Sequence, residues 1–295
     1  MELKLNNVTK NFGQIQAVCH VDQTMNSGVY GLLGENGAGK TTLMRMMCTL
    51  LTPTQGNITC DGRDIFRMDG EYRRILGYLP QDFGAYPEFT VKDYLLYMGA
   101  LKGLRPAVAK KRAGEMMELT GLSSISGRKM KKLSGGMRRR AGIAQAMLND
   151  PGILILDEPT AGLDPNERIR FRNLISELAQ NRLVFLSTHI VSDVEYIANE
   201  IWMMKEGGIV CQGTARNLIN SMPENVWDCF ADKAMVPMLM KKYKISNIKS
   251  EPEGIGLRII ASQKPFPDAK KVQASLEDVF LYYVGDERGG GHDLL

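Results

Sequence analysis

The chain lacks an apolar run long enough to cross a bilayer, which takes roughly 20 residues. Stretches such as Ile153–Leu156 and Met235–Met240 stop after four to six. Met1-Glu-Leu-Lys4 carries no signal-like apolar stretch either. The protein is therefore expected not to enter a membrane on its own, and any membrane contact would run through a partner. Five cysteines, Cys19, Cys48, Cys60, Cys211 and Cys229, stand far apart, with neither CxxC nor metal-ligand spacing. That excludes a zinc ribbon or a dithiol redox motif and fits reduced thiols in the cytoplasm. No internal repeat and no heptad coiled-coil run is present. The net charge of +4 is dilute over 295 residues and does not point to nucleic acid. The basic runs Arg128–Lys132 and Arg138–Arg140 lack the interleaved aromatics of a single-strand binder. They read as solvated helix faces or as a loop near phosphates.

What remains is an ordinary globular composition, 44% hydrophobic and 24% charged, enough to bury a sizeable core. The length suits one large domain and a smaller appendage. Residues 1–26 alternate apolar and polar residues around Phe12-Gly13 and read as short antiparallel strands. Val29–Leu33 reads as a buried strand, and Lys40–Leu51 as a helix stopped by Pro53. A second helical region starts at Thr90, an N-cap with Asp93 three residues on, and continues to about Leu122. Its apolar stripe is Val91, Tyr94, Leu95, Met98 and Leu101. Ile153–Leu156 and Leu183–Leu186 are short apolar runs with polar residues at their ends, the pattern of buried parallel strands. Beyond about residue 217 a small α+β appendage is expected, with a strand at Ile255–Ile260. A last helix, capped by Ser275 with Asp278, would bury Leu276, Val279, Phe280 and Tyr283.

Chemistry enters at Gly34-Glu-Asn-Gly-Ala-Gly-Lys-Thr41, which fits G-x-x-x-x-G-K-[ST] between a strand and a helix. The glycines let backbone N–H groups close around phosphate oxygens at a helix N-terminus. Lys40 is placed for the β- and γ-phosphates and Thr41 for Mg²⁺. Asp157 and Glu158 end the Ile153–Leu156 strand. Seen alone they would read as solvated acids. With the phosphate loop upstream, Asp157 is a Mg²⁺ ligand, direct or through water, and Glu158 polarises the attacking water.

With these motifs in this order, residues 2 to about 216 resemble the ABC ATPase family. The resemblance implies an α/β fold, a P-loop nucleotide-binding domain with a mixed sheet, antiparallel N-terminal strands and a helical subdomain at about 82–135. That domain would span 1–216, a small α+β extension 217–284, and a flexible tail 285–295. Leu133-Ser-Gly-Gly-Met137 resembles the family signature. It implies that Ser134, Gly135 and Gly136 contact the γ-phosphate of a nucleotide held by an opposite domain. The family usually has Gln where Met137 stands, and a thioether is a poor hydrogen-bond partner. Gln81 resembles the glutamine that reaches Mg²⁺ and water. His189 resembles the switch histidine on the γ-phosphate, and Asp164 the aspartate of the loop linking two sites. Asn36, Ala38, Gly39 and Thr42 belong to the phosphate loop with Gly34 and Gly37. Phe12 resembles the aromatic stacked on adenine, although a core aromatic of a hairpin fits it as well.

The same resemblance implies an ATPase using ATP and Mg²⁺. Its partners would be a second such subunit, with a homodimer the simplest case, and membrane permease subunits, with no direct nucleic-acid contact. It would work on the inner face of the membrane through the permease. Ser275-Leu-Glu-Asp-Val-Phe-Leu281 resembles the ending of bacterial export-type ATPases. The groove for the permease's short cytoplasmic helix would include Phe83–Tyr97. A soluble family member acting on ribosomes or DNA is the alternative, disfavoured by the single phosphate loop and the missing coiled coil. A kinase or GTPase built on the same phosphate loop is set aside because no Asn-Lys-x-Asp guanine motif is present and the signature-like segment Leu133–Met137 is.

Overall fold

The computed structural model describes residues 1–251 and 254–285, except for the side chain of Glu251. Of the tail expected from 285, all but Gly285 lies outside the described residues. In chain order the first half holds β1 (Leu3–Phe12), β2 (Ile15–Met25), β3 (Gly28–Leu33), α1 (Lys40–Met47), β4 (Gln55–Cys60), β5 (Arg63–Asp64), α2 (Ile65–Met68), α3 (Gly70–Arg74), β6 (Leu76–Leu79), α4 (Val91–Leu101) and α5 (Pro106–Leu119). There follow α6 (Gly135–Ala146), β7 (Ile153–Leu156), α7 (Pro165–Leu178), β8 (Leu183–Thr188), α8 (Val191–Glu195), β9 (Glu200–Lys205), β10 (Gly208–Gly213) and α9 (Ala215–Asn220). The last part holds β11 (Asn225–Ala231), α10 (Val236–Lys242), β12 (Lys244–Glu251), β13 (Gly254–Ala261), β14 (Lys270–Val272) and α11 (Leu276–Tyr283).

A six-stranded sheet in the order β10-β9-β3-β8-β7-β6 forms the centre, parallel except for the edge strand β10. Its inner strands are buried on both faces, which is why β7 and the Leu183–Leu186 part of β8 are apolar runs. One face packs against α1 and an antiparallel sheet, β2-β1-β4-β5. There Met44, Met46 and Met47 of α1 are fully buried with Ile155, Phe185 and Trp202. The other face, through Leu154, Val184 and Leu186, packs against the helical layer.

Several expected elements change length. The strands expected to be short run for 10 and 11 residues as β1 and β2, bent by bulges. The first helix ends at Met47 rather than near Leu51, because Thr49 turns left-handed at φ 58° and caps it. The second helical region is two helices, since Gly103 (φ 75°) stops α4 and Pro106 opens α5. The Thr90–Asp93 capping box is present, and Val91, Tyr94 and Leu95 are buried while Leu101 is exposed.

The appendage is a separate antiparallel sheet, β12-β13-β11-β14, with its own core of Cys229, Leu239, Leu257 and Ile259 under α10. The capping box of Ser275 and Asp278 is formed at α11. That helix touches β12, where Lys244 Nζ donates to the Tyr282 carbonyl (3.0 Å), but its buried side chains do not belong to the small core. Leu276, Val279 and Val284 join the large core with Val191, Val194 and Leu218, while Phe280 and Tyr283 are half-buried. Arg258 of β13 clasps Asp278 through Nε and Nη2 at 2.9–3.1 Å. Burial pushes the Asp278 carboxyl up, but hydrogen bonds from Arg258, Ser246 and Ser275 outweigh it and leave it below its usual range. The clasp therefore stabilises the fold above the ordinary carboxylate range and is lost as pH falls through that lowered value.

Candidate nucleotide site

The loop between β3 and α1 is built from glycines for reasons of space. Gly39 stands at φ 106°, and a Cβ there would meet the Ala17 carbonyl at 2.2 Å. At Gly34 it would meet the Met204 carbonyl at 2.7 Å. Gly39 is also the N-cap of α1 and has no side chain to fill its first turn, and no acid stands there. The free N–H groups and the helix dipole are thus left to an anion. Lys40 is buried, and its Nζ donates to the carbonyls of Gly34 (2.7 Å) and Glu35 (3.0 Å). Replacing Gly39 by Ala is expected to displace β2 from the loop. It should lower the melting temperature by several degrees, the scale of a strained left-handed residue plus a backbone clash, as calorimetry would measure.

The strand order brings the acids to this loop. Because β7 neighbours β8, Asp157 and Glu158 meet Ser187 and His189. Ser187 Oγ donates to Asp157 Oδ1 (2.7 Å) and accepts the N–H of Glu158 (2.9 Å). Glu158 sits in the left-handed region at φ 46°, an unusual conformation for a non-glycine residue. Its Oε1 lies 3.5 Å from Lys40 Nζ, and its Oε2 lies 3.0 Å from His189 Nδ1. With the carboxylate ionised, His189 Nδ1 carries the proton and donates. Asp157 is fully buried and its Oδ2 has no partner. A buried carboxylate oxygen of this kind suits a hard cation.

A cavity of about 340 Å³ opens over these groups. Asn36, Gly37, Gly39, Lys40, Thr41, Thr42, Gln81 and Glu158 line it, with Ala17 of β2. Gly34, Ala38 and Asp157 are buried and, like His189, do not line it. Phe12 does not line it. The ring lies at the β1–β2 tip, 49% exposed, with Lys10 Nζ at 5.2 Å from its centre.

Ser134, Gly135, Gly136 and Asp164 form a second cluster, and none of them lines the cavity. Ser134 caps α6 and accepts from the Met137 N–H (3.2 Å), while Asp164 caps α7 and accepts from the Glu167 N–H (2.9 Å). The two helix starts touch. A Cβ on Gly136 would meet the Glu167 carboxylate at 2.8 Å, and one on Gly135 would stand 3.7 Å from the Gly162 carbonyl. Arg128 Nη1 lies 3.9 Å from the Met137 sulfur.

Four residues beside these groups are given no role by the sequence. Ser187 had a signal, its place at the end of a buried strand. Glu167 and Asp193 had none, and Arg139 lies in the basic run Arg138–Arg140, which reads as a solvated helix face or a loop near phosphates. Arg139 of α6 donates to the Pro80 carbonyl, next to Gln81, at 3.2 Å. Burial lowers its pKa against the opposing pull of Asp82, Asp157 and Glu158.

A phosphate loop after β3 of a mostly parallel sheet, with an acid pair at the end of β7 and β8 between the two strands, defines a P-loop nucleoside-triphosphate-binding protein. Comparison with known proteins narrows the class. A family profile described as ABC transporter matches residues 20–161. The chain is 35% identical over 247 residues to YxlF, an uncharacterized ABC transporter ATP-binding protein of Bacillus subtilis (strain 168), covering 83% of this chain and 82% of that one. It is 36% identical to the Nod factor export ATP-binding protein I of Cupriavidus pinatubonensis, over 74% of this chain and 68% of that one. The dimeric structure of a bacterial ABC transporter cassette superposes with a TM-score of 0.66 at 25% identity, covering 72% of this chain and 98% of that one. The chain belongs to the ATP-binding proteins of the ABC transporter family. It is an ATP-binding and ATP-hydrolysing subunit, and subunits of this family dimerise and work with membrane permease components.

Proposed function

We propose that two copies of this chain close around two ATPs with Mg²⁺ and that the closure drives a separate membrane permease for export. The observation that carries the reading is the separation of the two clusters. One chain presents a phosphate-loop cavity and, away from it, an exposed Ser134 at the start of α6. A second copy supplies its own Ser134, Gly135 and Gly136 to the first copy's ATP, and the exchange is reciprocal, as a two-fold assembly requires. The dimeric cassette structure supports this arrangement. The Nod factor relative, an export protein by name, supports the direction of transport. The reading with ribosomes or DNA as targets has no support among these relatives.

Asp157, Thr41 and Gln81 would hold Mg²⁺, and the orphaned Asp157 oxygen and the hydroxyl and amide donors fit it. When bound, the ion neutralises charge developing on the phosphate oxygens. Lys40 holds the phosphates and Glu158 takes the proton of the attacking water. His189 orients the Glu158 carboxylate through their 3.0 Å contact and faces the γ-phosphate. Phe12 stacks on the adenine from the hairpin tip.

A groove of about 660 Å³ suits the permease's cytoplasmic helix. It runs between the α1–α3 region and the end of α4, lined by Leu50, Tyr78, Met98, Leu101 and Leu104, with Arg73 and Lys102 at its edge. Leu50 and Leu101 are each 63% exposed, an apolar surface in need of a partner. None of Phe83–Tyr97, where the groove was expected, lines it. Those aromatics pack on one another, Phe83 on Tyr94 and Tyr86 with Phe89 and Tyr97. No helix of the described residues is long and apolar enough to cross a membrane, so the proposed membrane location rests on the permease.

The test is capture of Glu158→Gln protein from native membranes with ATP and Mg²⁺. A multi-span membrane protein is expected, and Leu101→Glu should lower its recovery at least about tenfold, the scale of a buried apolar contact replaced by a charge. Recovery of ribosomal proteins in its place would sink the transport reading.

A further inference from the structure

Asp193 is a buried acid that the proposed chemistry does not use. It is 2% exposed, and no cation lies within ion-pair distance of it among the described residues. Its Oδ2 accepts from the hydroxyls of Thr160 (2.5 Å) and Thr188 (3.5 Å), and its Oδ1 has no partner. Thr160 and Thr188 are themselves buried. An acid held by two neutral hydroxyls carries a desolvation cost that an apolar side chain would avoid. Its place therefore calls for a role beyond packing.

The neighbours of Asp193 indicate the role. Thr160 follows Glu158 by two residues and opens the loop that runs to Asp164. Thr188 directly precedes His189, and its Oγ1 also accepts the Ile190 N–H at 3.0 Å. The acid thus ties together the two loops whose side chains, Glu158 and His189, meet at 3.0 Å. Its own helix is a firm anchor. Val194 packs so closely on β3 that a Cβ at Gly31 would lie 2.6 Å from it. From the other side, α11 places Leu276 and Val279 in the same cluster as Val191 and Val194.

We propose that Asp193 is a positioning residue that holds the Glu158 loop and the His189 loop in register for hydrolysis. The inference rests on the reading of Glu158 and His189 as the hydrolytic pair. Thr160 Oγ–H is the principal donor, at 2.5 Å, and Thr188 the weaker one. Loss of the latch releases both loops while leaving the phosphate loop untouched. A displacement of about 1 Å at the reacting groups is enough to cost about a hundredfold in rate.

The experiment measures kcat per folded ATP-binding site and the Kd for ATP with Mg²⁺ in Asp193→Ala, Thr160→Val, their double variant and Asp193→Asn, with Glu158→Gln in the same assay. Asp193→Ala and Thr160→Val should each lower kcat by about 10–100-fold and shift the Kd less than about threefold. The double variant should be no slower than the slower single, because both remove one latch. Asp193→Asn keeps an oxygen for the Thr160 hydroxyl and should come within about threefold of the parent, and it decides the matter if Asp193→Ala does not fold. Unchanged kcat in Thr160→Val, multiplied losses in the double variant, or Kd losses equal to the kcat losses would each overturn the latch. Glu158→Gln turning over at more than about a third of the parent rate would instead sink the hydrolytic pair.

Discussion

Replacing Glu158 by Gln is expected to lower ATP turnover by about 10²–10⁴-fold, the scale of a lost general base, with ATP binding retained. The substitution is close to isosteric and leaves the backbone N–H of residue 158 on Ser187 Oγ. What it removes is one negative charge, 3.5 Å from Lys40 Nζ and 3.0 Å from His189 Nδ1, in a site where both Lys40 and Glu158 are buried. The proton acceptor goes, and so does the anion that competes with phosphate for Lys40. Nucleotide affinity should hold or rise, and the closed dimer should accumulate with ATP. Phosphate release measured against a fluorescent-nucleotide titration checks both halves. A variant retaining more than about a third of the parent rate would remove Glu158 from the role.

Lys40→Ala acts on the other side of the same contact, and its largest effect is on binding. Lys40 Nζ closes the phosphate loop through two carbonyls and supplies the charge that faces phosphate. We expect ATP affinity to fall by at least about a hundredfold, consistent with a charge-assisted contact worth about 3 kcal/mol. Truncation also strands Glu158 as a buried carboxylate without its cation, which costs about 3–5 kcal/mol of stability. The two effects are separable. Adding Glu158→Gln to Lys40→Ala removes the stranded charge and should restore most of the melting temperature, while ATP binding stays lost. Calorimetry and equilibrium binding on the two variants measure this. Unchanged affinity in a folded Lys40→Ala protein would contradict the phosphate-loop assignment.

Local elements were readable wherever the governing spacing is local. The capping boxes at Thr90 and Ser275 and the buried runs of β7 and β8 each depend on residues within four positions of one another, and the phosphate loop on a single stretch from Gly34 to Thr41. Lys40 is legible for that reason, whereas Asp157 and Glu158 take their reading from the phosphate loop upstream and His189 takes its own from the family resemblance. The limits of the same reading are also local. The first helix was drawn to Leu51 because nothing in the residue type of Thr49 announces a φ of 58°. An apolar helix face such as Leu276 and Val279 does not carry the address of its core, and α11, clasped to the appendage through Asp278, buries that face in the large core.

Residue types and their order along the chain thus carry the parallel-sheet class, the phosphate loop and the acid pair, because hydrogen-bonding capacity, side-chain periodicity and glycine's small volume act over a few residues. The placement of β8 between β3 and β7 is another matter. It brings Ser187 and His189 onto the acids and leaves Asp193 under two loops, while the start of α6 keeps Ser134 out of the phosphate cavity. These contacts join segments about thirty residues apart or more, or deny them contact. They are decided by which faces pack in the closed sheet and helix layers, a choice made by the whole core rather than by any one stretch of chain.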